Sequence, residues 1–119
     1  MVDDNEIDNL IHGRVLDSVN YASKRIVKNS AIDALAYLRA NLHNPSNFPD
    51  LILLDINMPE MNGFGFLDEF EKLPASAIGR TSVILLSSSL DFNDLEKSHK
   101  YKSVKKYVNK PLRSDELAL

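Results

Sequence analysis

Two uninterrupted apolar runs constrain this chain more than any other feature. Leu51-Ile52-Leu53-Leu54 is entered from Pro49-Asp50 and stopped by Asp55, and Val83-Ile84-Leu85-Leu86 is stopped by Ser87, Ser88 and Ser89. A strand with one wet face alternates apolar and polar residues. Runs without that alternation suit strands covered on both faces, as in a parallel sheet. Arg25-Ile26-Val27-Lys28 and Val104 to Val108 read as two further strands, shorter and more mixed, and therefore nearer an edge.

Helical patterns lie between these runs. Ile7, Leu10, Ile11 and Val15 recur at helical spacing, as do Ala31, Leu35, Leu38 and Leu42, with Ser30 placed to cap the second group. Phe66, Leu67, Phe70 and Leu73 mark a third helix ended by Pro74. Asp91 to Lys102 predicts a short fourth helix, and Ser114-Asp115-Glu116 begins a last one. Strands alternating with helices predict an α/β fold with a parallel sheet.

The remaining composition narrows the chemistry. A length of 119 residues suits one domain, and an apolar share of 44% is enough for a sizeable core. The net charge of -3 gives no basic excess for nucleic acid or an anionic membrane surface. The absence of cysteine excludes disulfides, thiolate metal sites and cysteine nucleophiles. No apolar run approaches the roughly 20 residues of a membrane span, and the acidic N-terminus is unlike a signal peptide, so the expected location is cytoplasmic. His12, His43 and His99 have no metal-ligand spacing and are expected to be solvated surface residues.

The polar residues of interest follow the apolar runs directly. Asp3 and Asp4 follow Met1-Val2, Asp55 and Ser87 follow the two runs above, and Lys110 follows the Val104–Val108 strand. In an open parallel sheet these strand ends gather along one edge, where doubly wound folds bind their ligands. Three carboxylates brought together repel and call for a cation. With oxygen donors alone the choice is a hard ion, Mg²⁺ before Ca²⁺. A lysine and a hydroxyl beside them could hold the other oxygens of a phosphoryl group, so the set suits phosphoryl transfer to a carboxylate nucleophile. Each residue also has an ordinary reading: Asp55 as a turn former, Asp3 and Asp4 as helix cap and first-turn acid, Lys110 as a surface charge, Ser87 to Ser89 as a plain loop. Their coincidence on four strand ends favours the site.

These residues also match a family. Asp55-Ile56-Asn57-Met58-Pro59-Glu60-Met61-Asn62-Gly63 resembles the phosphorylation loop of CheY-like response regulator receiver domains. Val2-Asp3-Asp4-Asn5 resembles their acidic pair, Leu86-Ser87-Ser88 their switch Ser/Thr, and Tyr107-Val108-Asn109-Lys110-Pro111 their lysine segment. The resemblance runs over nearly the whole chain, residues 1–119, as one receiver domain. It implies a flavodoxin-like three-layer sandwich with sheet order 2-1-3-4-5.

The resemblance further implies that Asp55 accepts a phosphoryl group from a sensor histidine kinase or a histidine phosphotransfer protein. Asp4, Asp55 and the carbonyl of Asn57 would ligate Mg²⁺, with Asp3 acting through a water. Lys110 would pair with the phosphoryl oxygens, its bond to Pro111 being cis. Ser87 would swing its hydroxyl onto the modified Asp55, and Tyr107 would turn inward to alter the surface read by a downstream effector. Asn57 and Ser89, both small and polar, would flank the phosphoryl group and leave it open to water, giving a lifetime of minutes. Phe64 and Phe66, near Gly63 and Gly65, are expected to be core and loop packing.

The chain departs from the family at its ends. Receivers begin with a full apolar first strand, whereas Met1-Val2 alone precede Asp3, and Leu119 lies little more than a turn into the fifth helix. Losing the first strand would expose ladder hydrogen bonds of both its neighbours. This leaves open a fragment trimmed at both ends, or a chain that fills the gap by segment exchange or dimerisation, giving a homodimer. The leading function is thus a phosphoacceptor switch whose only catalysis is self-directed. A phosphorylation-independent interaction module is the alternative. A phosphatase comes last, because Asn57 stands where its general acid would be.

Overall fold

The computed structural model describes residues 1–19, 24–89 and 91–118. The apolar runs form β1 (Leu51–Asp55) and β2 (Ser82–Ser87), which pair in parallel, and β2 pairs in parallel with β3 (Val104–Asn109). The first strand survives as a single residue. Val2 bridges Lys28 on one side and Leu54 on the other, both in parallel. Its N–H donates to the Leu53 carbonyl at 2.7 Å and its carbonyl accepts from Asp55 at 2.9 Å. On the far side the Asp3 N–H donates to Lys28 and the Lys28 N–H donates to Met1. Across the sheet the order is therefore Lys28, Val2, β1, β2, β3, as the resemblance implies.

The expected Arg25–Lys28 strand is reduced to the bridge at Lys28, because the segment it pairs with is only Met1 to Asp3, whose remaining bond runs from the Met1 ammonium to the Ile26 carbonyl. Below Met1 the seam between residues 24–28 and Leu51–Leu53 opens into a cavity of about 300 Å³, whose lining includes Leu38 and Phe66. This cavity marks the gap expected of a short first strand.

Alternation within the runs divides the core in two. Ile52 and Leu54, with Val83 and Leu85, face α2 (Ala31–Ala40) and α3 (Gly63–Phe70), where Leu35, Phe66, Leu67 and Phe70 are buried. Leu53, Ile84, Leu86 and Val108 face the other way, against Leu16 of α1 (Glu6–Ser18) and against Leu112 and Leu117. Both faces of the sheet are covered, which is why the runs contain no polar residue.

Side-chain oxygens start most of the helices. Asn5 accepts from the amides of Ile7 and Asp8, Ser30 from Asp33, Asn62 from Gly65, and Asp91 from Asn93 at the head of α5 (Phe92–Ser98). Each such cap contributes about 1 kcal/mol. A single turn, α4 (Ala75–Ile78), follows Pro74, and a 3-10 turn at Ser114–Leu117 stands where the last helix was expected.

Helix α1 reverses the expected burial. Its Ile7, Leu10 and Ile11 are exposed, whereas His12, Gly13 and Leu16 face inward. His12, expected in solvent, is only 2% exposed; His43 and His99 are exposed as expected. Among the described residues no helix is long and apolar enough to cross a membrane.

Phe66 is fully buried and its ring stacks on Phe70 at 5.8 Å between centroids. Phe66→Ala should cost about 3–5 kcal/mol, read as a lowered urea midpoint with an unchanged slope.

Candidate functional site

The sheet delivers four side chains to one edge. Asp3 follows Val2, Asp55 ends β1, Ser87 ends β2 and Lys110 follows β3. The Lys110 amide donates to the Ser87 carbonyl at 2.7 Å, tying the last two strand ends together. The Lys110–Pro111 peptide bond is cis, as the resemblance implies.

The ammonium of Lys110 lies among carboxylates. Its Nζ is 2.7 Å from Asp8 Oδ2, 2.9 Å from Asp3 Oδ2 and 3.3 Å from Asp55 Oδ1. The side chains of Asp3, Asp55 and Lys110 are all close to fully buried, at 3%, 6% and 11% exposure. Asp4 is exposed at the rim, yet its carboxylate lies with those of Asp3 and Asp55, one oxygen of each falling within 4.8 Å of the others. That spacing and an all-oxygen donor set fit a hard divalent cation.

The charges are unbalanced, and the titration behaviour reflects it. Burial, and then the negative charge of Asp3, push the Asp55 carboxyl up to about 6, against the pull of Lys110 and of the Asn57 amide, which donates to Asp55 Oδ1 at 3.3 Å. Burial works to lower the Lys110 ammonium, but its hydrogen bonds to Asp8 and Asp3 and the charges of Asp3 and Asp55 outweigh it and raise the group above its ordinary value. His12 moves down, chiefly through burial and then through the charge of Lys110.

The side chains of the other expected residues form no hydrogen bond with these carboxylates among the described residues. Ser87 is buried, with its hydroxyl donating to the Ser89 carbonyl at 2.6 Å and accepting from the Ser89 amide at 3.2 Å. Asn57 and Ser89 are exposed on their loops. Tyr107 is half-buried against the α2–α3 side of the core, and its hydroxyl is buried without a hydrogen-bond partner among the described residues.

A model of the response regulator receiver domain matches residues 1–119. The chain belongs to the response regulator receiver family. This receiver is similar in structure to a two-component response regulator from Cytophaga hutchinsonii, at 31% identity and a TM-score of 0.89, over 98% of this chain and 86% of that one. It is also similar to the phosphorylated cyanobacterial phytochrome response regulator RcpA, at 30% identity and a TM-score of 0.78, over 98% and 81% of the two chains. A probable methanogenesis regulatory protein, FilR2 of Methanothrix harundinacea, is 23% identical over 98% of this chain and 74% of its own length.

Two contacts of the receiver site escaped sequence reading, the first made by a glycine already seen at the end of the Asp55–Gly63 run. Gly63, at the head of α3, sits against the end of β1 so closely that a Cβ there would come within 2.9 Å of the Asp55 carbonyl oxygen and of Ile56 Cα. Its amide donates to the Ile56 carbonyl at 2.8 Å. Asp8 makes the second. It lies one helical turn after Asp4, which was a signal that it returns to the strand ends, but its pairing with Lys110 spans 102 positions of sequence.

The raised Asp55 carboxyl fixes a pH dependence. The folded state binds its proton more tightly than the unfolded chain, so this group weakens stability as pH rises from about 4 through 6. In metal-free buffer at pH 7.5, Asp55→Asn should therefore be the more stable protein, by about 3 kcal/mol. Denaturation across pH should show that difference closing below about pH 4.

Proposed function

We propose that this receiver is a phosphorylation-controlled switch in a two-component system, with Asp55 as the phosphoacceptor. The observation that carries the reading is the position of the Asp55 carboxylate, 3.3 Å from Lys110 and grouped with those of Asp3 and Asp4 at the edge where the strands end. The donor would be the phosphohistidine of a sensor histidine kinase or a histidine phosphotransfer protein. A carboxylate oxygen of Asp55 forms the new O–P bond as the P–N bond breaks, and the imidazole leaves as the neutral base after taking up a proton.

The residues present fit Mg²⁺. Asp4, Asp55 and the Asn57 carbonyl would hold it, with Asp3 acting through a water, and the bound ion supplies positive charge to the phosphoryl oxygens. Lys110 neutralises another of those oxygens. Ser87 leaves its hydrogen bonds with Ser89 to donate to the phosphoryl group, and Tyr107 reports the change on the surface of β3 to a downstream effector. Asn57 and Ser89, both exposed, leave water a path to the acyl phosphate, so the protein dephosphorylates itself over minutes. The exposed Ile7, Leu10 and Ile11 on α1, which starts just after Asp4, support a protein rather than a metabolite as donor. The cytoplasm is where such a partner would meet it.

A phosphorylation-independent interaction module has no need of a buried carboxylate pair held with Lys110. Asn57 offers no proton to a leaving group, which disfavours a phosphatase.

Mass spectrometry after incubation with acetyl phosphate tests the reading. Wild type should gain one phosphoryl group in the presence of Mg²⁺ and none in chelator, and Asp55→Asn should gain none. Lys110→Ala should slow the gain by roughly 100-fold, the usual loss for one group that stabilises transition-state charge. A folded wild-type sample that stays unmodified, or an equal gain by Asp55→Asn, would contradict it.

A further inference from the structure

The shortest of the three contacts at Lys110 is to a residue outside the strand-end set. Asp8 lies on the first turn of α1, with its side chain 25% exposed, and its Oδ2 is 2.7 Å from Lys110 Nζ. The ammonium has three N–H donors; hydrogen bonds run to Asp3 and Asp8, and the contact with Asp55 is the longest of the three. Lys110 is thus drawn toward α1 and away from the nucleophile it would serve.

We infer that Asp8 is a positioning residue that competes with the phosphoryl group on Asp55 for Lys110. The inference rests on the phosphoacceptor reading above. In the resting protein Asp8 holds the ammonium, and phosphorylation at Asp55 must draw it off. Asp8 sets, through Lys110, how readily the site accepts a phosphoryl group and how tightly it binds a divalent cation.

Charge gives the two effects opposite signs. Asp3, Asp4, Asp8 and Asp55 set four negative charges against the one positive charge of Lys110. Removing the Asp8 charge makes the site less attractive to a cation and frees Lys110 to turn toward Asp55. Both changes weaken Mg²⁺ binding, and both strengthen the hold on an anionic phosphoryl group. An acid on the first turn of a helix ordinarily serves the helix alone. Glu6 is such an acid on the same turn, exposed and without an ion pair among the described residues, so it provides the control.

Calorimetric titration of the whole 119-residue chain decides the matter. Asp8→Asn should raise the Mg²⁺ dissociation constant by roughly fivefold and, at saturating Mg²⁺, lower that of beryllofluoride, a phosphoryl mimic, by a similar factor. Asp8→Glu should restore both constants toward wild type, and Glu6→Gln should move neither. Two constants that shift in the same direction, or that stay as in wild type, would overturn the assignment to Asp8. If wild type binds no beryllofluoride, the phosphoacceptor reading fails by itself. The Mg²⁺ constant then decides on Asp8, and an unchanged value overturns its role.

Discussion

The charge cluster formed by Asp3, Asp55 and Lys110 is the interaction around which the rest of the structure is arranged. Burying these groups is unfavourable for each alone, and one ammonium does not offset the carboxylates around it. The sheet forces them together because parallel strands all end on one side, so the residue after each apolar run arrives at the same edge. The fold therefore supplies the stability, and the edge carries an excess of negative charge that a bound cation would offset. The Asp55 carboxyl is raised first by its burial and then by the negative charge of Asp3, the part of the shift that this excess accounts for.

What the core must do follows from this. Two apolar layers cover both faces of β1 and β2, and Leu54, Phe66, Leu67, Phe70, Val83, Ile84 and Leu85 have no measurable exposure. Each such side chain contributes about 1.5–3 kcal/mol of burial, enough in sum to tolerate a strained electrostatic edge. The same rigidity fixes the geometry: Gly63 permits α3 to press on the backbone at Asp55 and Ile56, and the one-residue strand at Val2 sets Asp3 beside β1. The switch proposed above would have few moving parts, chiefly the Ser87 hydroxyl, the Lys110 ammonium and the Tyr107 ring.

Much of this was legible in the sequence because it depends on pattern. Unbroken apolar runs identify β1 and β2, and their stop residues identify the edge. Ser30 was readable as a cap because its neighbours recur at helical spacing. Other features depend on contacts that no local pattern encodes. In α1 the apolar residues Ile7, Leu10 and Ile11 mark a helix but not its buried face. That face is set by His12, Gly13 and Leu16, and Gly13 leaves room for the Arg25 guanidinium. Residues 25–28 have strand composition, yet a strand needs a partner of equal length, and the segment they pair with is only Met1 to Asp3. Asp8 stands on the first turn of α1, and only the folded chain brings Lys110 to it across 102 positions of sequence.

The central claim is that the edge is a built, under-neutralised site for a divalent cation. The direct measurement is an NMR titration of the metal-free protein with Mg²⁺, following backbone amides. A saturable, single-site response centred on Asp3, Asp4, Asp55, Asn57 and Lys110, and lost in Asp55→Asn, is the result this account predicts. Diffuse, unsaturating shifts spread over the acidic surface, or a response that survives Asp55→Asn unchanged, would contradict it.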